Sequence, residues 1–280
     1  MNKKTKIYLA ISFIISIIIV LGVVVFLLQK RSQEFRLNNT GKEIEIQNAP
    51  TPGSAKNNFR LLLTSGGITN DRIKTALADL AGKDIKDISV ADIITASAPV
   101  NDSIYAVAEK ESLKQAGLEN VSVIDIRDPR ENWINTLESA DVIWIEGGNT
   151  YYLLDWARKS GLDKDLPELL KDKVYVGVSA GSILVGPDIN YAGWDIGDKD
   201  KNETDLVDFT GLNIVDFGVF PHYKEDQKND LEKMSKTINY PMYAIDDGCA
   251  ILVRGGQVKA IGEGVGLIME NRKNKSVKLP

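Results

Sequence analysis

From Phe59 onwards, short apolar runs alternate with amphipathic stretches, and no other feature narrows the available folds as much. Residues 60–64, 92–96, 121–126, 141–145 and 174–178 read as buried strands, and the segments between them carry helical periodicity. That rhythm predicts an α/β fold, a mostly parallel sheet with flanking crossover helices. It continues through a run at 214–220 and a helical stretch at 225–237, then gives way to four closely spaced runs at 243–245, 250–253, 258–261 and 265–268. The pair Gly255-Gly256 predicts a hairpin closing two of them. With 280 residues, 43% hydrophobic and 26% charged, the chain is long enough for one large domain with a substantial core.

Ahead of that domain, residues 7–28 contain no charge. At about 1.5 Å per residue such a run is long enough to cross a hydrocarbon core of roughly 30 Å, and it predicts a transmembrane helix. The alternative is a cleaved secretory signal, whose apolar region spans only about 7–15 residues and ends at a small-residue cleavage site that is not evident here. Lys3, Lys4 and Lys6 on one side nearly balance Lys30, Arg31 and Arg36 on the other, so the rule that positive loops stay inside decides little. A short amino-terminal tail usually stays inside, which favours an external domain. Between the run and Phe59, Pro50, Pro52, Gly53 and many charges have the composition of a solvated tether. The expected organisation is therefore a single-pass cell-membrane protein: tail and anchor over 1–29, flexible linker over 30–58, folded domain over 59–280.

Composition excludes several kinds of chemistry. A net charge of −5 provides no basic field of the kind that displaces counterions from a phosphate backbone, which argues against nucleic acid as a partner. One cysteine, Cys249, excludes an intrachain disulfide and a thiolate-rich zinc cluster. One histidine, His222, excludes a multi-histidine metal site.

The remaining chemistry centres on Ser179. The run Val174-Tyr175-Val176-Gly177-Val178 leads straight into Ser179-Ala180-Gly181-Ser182, a G-x-S-x-G pattern at a predicted strand-to-helix junction. A sharp turn there needs small neighbours to lift the hydroxyl clear of the sheet, and the N–H groups of the following helix favour a developing oxyanion. Tight packing of small residues at such a junction is the plainer explanation of the same pattern. A serine hydroxyl needs a base, and imidazole, with a pKa of about 6.5, can take and return a proton near neutral pH. Only His222 can serve, and it follows the run Val219-Phe220-Pro221, at the carboxyl end of a predicted strand, where open α/β sheets build their sites. A carboxylate should hold the imidazole tautomer. Asp246 and Asp247, between the strand ending at Ile245 and Gly248, are the candidates. Asp247 is preferred and Asp246 is the alternative, although an Asp-Asp-Gly turn is also common for steric reasons. Finally, Glu146-Gly147-Gly148-Asn149-Thr150 follows another strand, and its glycines would let backbone N–H groups approach a ligand, so Gly148 with Ala180 could form an oxyanion hole. A phosphate-binding turn is the rival there, without either glycine-rich phosphate pattern to support it. Leu63-Thr64-Ser65-Gly66-Gly67 closes the first strand in a similar glycine turn on the same rim.

Taken together, LLLTSGGITN at 61–70, EGGNTYYL at 146–153, GVSAGS at 177–182, FPHY at 220–223 and AIDDG at 244–248 resemble the peptidase E family, the S51 serine peptidases. The five motifs recur in the family's order and span essentially the whole domain. The resemblance implies a fold like the class I glutamine amidotransferases, which is flavodoxin-like, with serine in place of their cysteine nucleophile. It implies no metal and no organic cofactor. The family's nucleophile falls on Ser179, its histidine on His222 and its oxyanion donors on Gly148 and Ala180. Its acidic member looks like a glutamate immediately before a glycine, where this chain has Asp247 behind Asp246. In the enteric enzyme of the family an acidic residue downstream of the nucleophile helps bind substrate. Asp195 lies near that place, and Asn149 is a second candidate substrate contact. The implied activity is serine-type hydrolysis of short peptides, as by a dipeptidase. The enzyme named for the family cleaves dipeptides beginning with aspartate, but no positioned cation for that side chain is evident here.

Rival expectations remain. An α/β-hydrolase esterase would have the order serine, acid, histidine, with Asp205, Asp208 or Asp216 as the acid. A cyanophycinase-like activity lies within the same superfamily, without a specific feature in its favour. A non-catalytic membrane-tethered binding domain would keep the fold without the chemistry.

Overall fold

The computed structural model describes residues 32–37, 44–45, 58–99, 110–129 and 132–269. The chain divides into two compact units, Met1–Gln33 and Glu34–Pro280, and the site lies wholly within the second. The strands are β1 (Ser32–Leu37), β2 (Ile44–Glu45), β3 (Arg60–Thr64), β4 (Ser89–Ile93), β5 (Asn120–Ile124), β6 (Val142–Ile145), β7 (Val174–Val178), β8 (Gly218–Phe220), β9 (Met242–Ile245), β10 (Cys249–Arg254), β11 (Gln257–Gly262) and β12 (Gly264–Met269). The helices used below are α1 (Asp71–Ala81), α2 (Trp133–Ser139), α3 (Thr150–Ser160), α4 (Leu162–Leu169), α5 (Ala180–Leu184) and α6 (Lys228–Met234).

The main sheet has eight strands in the order β2-β11-β10-β3-β7-β6-β4-β5. From β3 to β5 every pairing is parallel, and β10, β11 and β2 extend the β3 edge with antiparallel pairings. A smaller four-stranded sheet has the order β1-β12-β9-β8, with β8 parallel to β9. Both faces of the parallel strands are covered. Leu61 and Leu63 of β3 join the cluster that takes in Leu153 of α3 and Leu166 of α4, whereas Leu62 joins Ile73 and Leu77 of α1. Successive side chains of a strand point to opposite faces, so a run apolar at every position suits a strand that is buried twice. The helices stop and start where the sequence provides caps: Asn70 accepts from the Ile73 N–H before α1, and Gly82 and Gly161 take the left-handed conformation after α1 and α3.

The hairpin forms at Gly255-Gly256, both at positive φ, with Arg254 opposite Gln257. Elsewhere the boundaries move. The run expected at 92–96 is a strand from Ser89, because Thr95 turns the chain: its hydroxyl accepts from the Ile126 N–H and donates to Asp125. The run expected at 214–220 is a strand only from Gly218, because the N–H groups of Ile214 and Val215 are tied to the Val185 carbonyl. Strands β1 and β2 fall in the stretch whose composition suggested a tether.

One expectation is corrected outright. Among the described residues no helix is long and apolar enough to cross a membrane. Helices α1 and α3, at 11 residues each, would rise only about 16 Å of the roughly 30 Å required. Residues 7–28, where the apolar run predicted an anchor, lie outside the described residues. The fold class is therefore a mixed α/β body with a central sheet and flanking helices, and neither the anchored architecture nor the single-pass membrane location drawn from it is supported.

Leu62 is fully buried between the sheet and α1. Leu62→Ala should cost about 2–5 kcal/mol in urea unfolding, whereas Val207→Ala, at a side chain 91% exposed, should change stability by less than about 0.5 kcal/mol.

Candidate active site

Strand β7 ends at Val178, and Ser179 turns the chain into α5 with φ 47° and ψ −105°. A non-glycine residue in that region costs of order 1–3 kcal/mol and persists only where its surroundings force it. Here the Ser179 N–H donates to the Thr64 carbonyl at 3.1 Å. The Ser182 hydroxyl lies 2.8 Å from both the Thr64 and Gly177 carbonyl oxygens, and the Tyr175 hydroxyl donates to the Gly181 carbonyl at 2.6 Å. The small neighbours are required by contact distance: a Cβ on Gly181 would lie 2.2 Å from the Ile145 carbonyl oxygen, and one on Gly177 would lie 2.6 Å from the Gly181 carbonyl carbon.

Strand β8 delivers His222, also at positive φ (55°), and β9 delivers Asp246 and Asp247. His222 Nε2 is 2.9 Å from Ser179 Oγ, and His222 Nδ1 is 2.6 Å from Asp247 Oδ1. With the serine hydroxyl donating to Nε2, the ring proton sits on Nδ1 and is donated to Asp247, an assignment made from the hydrogen-bond network. Partial burial would raise the Asp247 carboxyl, but hydrogen bonds from Ser65 and His222 and the charge of Lys224 outweigh it and hold it below its ordinary value. Asp246 faces the other way: its carboxylate accepts from the Gly248 N–H at 3.1 Å and the Val265 N–H at 2.7 Å, pinning β12. Of the two adjacent acids, only Asp247 meets the histidine. Asp205, Asp208 and Asp216, the acids of an esterase order, are not bonded to His222, and Asp208 instead accepts from Thr210.

The glycine loop after β6 lies beside the serine. Gly148 has φ 137°, and a Cβ there would lie 2.2 Å from the Ala96 carbonyl oxygen, so only glycine fits. Neither the Gly148 nor the Ala180 N–H donates to another group among the described residues. Asn149 caps α3 by accepting from the Tyr152 N–H at 2.9 Å, and its amide donates to the Lys201 carbonyl at 2.9 Å. Ser179, His222, Gly148, Asn149 and Asp200 line one cavity of about 690 Å³.

Two residues of the site were not singled out in the sequence. Asp195 lies outside the cavity lining, with its side chain 92% exposed and paired to Lys199 at 2.7 Å. Asp200, five residues on, faces the cavity instead; it accepts from the Thr150 N–H at 2.7 Å, and burial pushes its carboxyl above its ordinary value. Its signal was hidden in a stretch where aspartates occur at 195, 198, 200 and 205. Ser65, at the end of β3, is fully buried and donates to Asp247 Oδ1 at 2.8 Å. Its loop was marked by glycines, but nothing marked the serine itself. Among the described residues, no group of three or more histidine, cysteine or acidic side chains could hold a metal.

The profile of peptidase family S51 matches residues 61–261. An uncharacterized peptidase of Listeria monocytogenes is 35% identical over 178 residues, which cover 61% of this chain and 84% of the relative. A peptidase E of Shewanella denitrificans is 25% identical over 198 residues, covering 64% and 77% respectively. Among solved structures, a candidate peptidase E protein from Listeria monocytogenes superposes with a TM-score of 0.61 at 29% identity, covering 73% of this chain and 98% of that one.

Folding lowers the Asp247 pKa, so its contribution to stability is complete above the ordinary carboxylate value of about 3.9 and is lost as the pH falls through the lowered one. The side chain is 65% exposed, so water screens the effect and keeps it small. The difference in urea midpoint between the wild type and Asp247→Asn should shrink between about pH 6 and about pH 3, and a difference that stays constant would contradict this assignment.

Proposed function

This chain belongs to peptidase family S51 and is a peptidase, and on that premise we propose that it hydrolyses short peptides through an acyl-enzyme formed on Ser179. The observation that carries the reading is the chain of contacts from Ser179 Oγ through the imidazole to Asp247, 2.9 Å and 2.6 Å, opening onto a cavity of about 690 Å³. On this reading His222 Nε2 takes the Ser179 proton as Oγ attacks the scissile carbonyl carbon. The Gly148 and Ala180 N–H groups stabilise the oxyanion, and Asp247 stabilises the imidazolium. His222 then gives the proton to the leaving amine as the peptide C–N bond breaks. A water, deprotonated by the same nitrogen, hydrolyses the ester and restores the serine.

The catalytic domain on this reading is the stretch 59–280. Asp200, not Asp195, is the acid assigned to substrate binding. A carboxyl that burial has pushed up is relieved by pairing with a cation, and the free ammonium of a short peptide is the cation such a substrate brings.

Hydrolysis of a dipeptide and tripeptide library by the full chain tests the reading. Ser179→Ala and His222→Ala should each lower turnover by roughly 10⁴-fold to 10⁶-fold. Full activity in His222→Ala would exclude the mechanism. Asp200→Asn should lower kcat/KM for free peptides by about tenfold or more and leave their N-acetylated forms little changed, since a lost pair of this kind is of order 1.4 kcal/mol.

A further inference from the structure

Ser65 has a single hydroxyl, and the whole orientation of the imidazole passes close to it. Its Oγ accepts from the His222 backbone N–H at 2.7 Å, donates to Asp247 Oδ1 at 2.8 Å and lies 3.4 Å from His222 Nδ1. The first of these bonds holds a histidine whose backbone is at φ 55°, a conformation that needs an anchor. The second matters because Asp247 is unusually open for a group that must steer a ring: its side chain is 65% exposed, whereas Ser65 is fully buried. A carboxylate facing water holds a partner weakly, because high dielectric screens the attraction and side-chain freedom must be given up. A buried hydroxyl has neither weakness. It also has two lone pairs and one proton, of which the His222 N–H occupies one lone pair and Asp247 receives the proton.

We propose that Ser65 is a positioning residue that shares with Asp247 the orientation of His222, and that its second lone pair accepts the Nδ1 proton whenever the Asp247 carboxylate is absent. The inference rests on the serine mechanism above. In that substituted state the Ser65 proton rotates away, Nδ1–H donates to Ser65 Oγ, and the tautomer that leaves Nε2 free to receive the Ser179 proton is kept. No bond other than hydrogen bonds is made or broken.

The test uses the full chain and two readouts that need no peptide substrate: the rate at which a fluorophosphonate probe labels Ser179, and the low-field proton resonance of Nδ1–H. The latter is unambiguous because the chain has one histidine. Ser65→Ala, Ser65→Cys and Asp247→Ala should each slow labelling by about tenfold, and the double variant Ser65→Ala with Asp247→Ala by about 10⁴-fold, well beyond the product of the singles. The Nδ1–H resonance should shift but persist in Asp247→Ala and disappear in the double variant. A serine that only supports the fold would lower the melting temperature and leave both readouts in place. Losses that multiply independently, or a wild-type labelling rate in both Ser65 variants, would overturn the inference while leaving the serine mechanism standing. A wild type that does not label at Ser179 would remove the mechanism and this inference with it.

Discussion

The approach of Gly181 to the Ile145 carbonyl is the contact on which the rest of the site depends. A Cβ at position 181 would lie 2.2 Å from that oxygen, so α5 can sit this close to β6 only without a side chain there. The closeness keeps the turn at Ser179 sharp and its hydroxyl above the strand ends. It also leaves Ser179 beside the glycine loop after β6, where a Cβ on Gly147 would lie 3.2 Å from the Ser179 Cβ, and that loop itself fits only because Gly148 has no Cβ to collide with Ala96. Packing of bare backbone against bare backbone thus sets the position of Ser179 and of the glycine loop beside it. The strain at Ser179 is held by its own N–H bond to Thr64, at the end of the neighbouring β3, and by the Ser182 hydroxyl beside the Thr64 and Gly177 carbonyls.

The site is drawn from both sheets. Ser65, Gly148 and Ser179 emerge from the carboxyl ends of β3, β6 and β7 in the large sheet, while His222 and Asp247 emerge from β8 and β9 in the small one. The hydrogen bonds that join the two sets, Ser179 to His222 and Ser65 to both His222 and Asp247, stitch the sheets together at the rim of the cavity. Asp246, facing the other way, instead holds the Val265 N–H of β12 within the small sheet. The adjacent pair Asp246-Asp247 therefore divides into one acid for the fold and one for the imidazole.

What the sequence disclosed follows from how local each signal is. The strands 60–64 and 174–178 were legible to the residue because each is built on an unbroken apolar run, 61–63 in one and 174–176 in the other, and each leads into a turn of small residues. The run near residue 92 slid by three residues because its end is set by Thr95 bonding across to the next strand, which no local pattern encodes. Asp247 and Asp246 were hard to separate because their difference lies in partners that are distant in sequence. Ser65 and Asp200 were missed for the same reason: a serine beside glycines and an aspartate among aspartates look ordinary until the fold brings Asp247 to one and the cavity to the other. Hydropathy alone spoke for the segment 7–28, and a count of apolar residues is a weaker guide than a pattern that several elements share.

The distance along the chain between the two halves of the site also governs when it can exist. Ser65 bonds His222 across 157 positions and Asp247 across 182, and β10, which follows Asp247, lies beside β3, which precedes Ser65. Contacts of such long range close late, because the entropy of the intervening loop must be given up first. A nascent chain that contains Ser65 and Ser179 but has not reached position 247 lacks the carboxylate that Ser65 and His222 bond. The geometry around the imidazole is thus a property of the nearly complete polypeptide, and no amino-terminal piece that stops short of residue 247 can carry it.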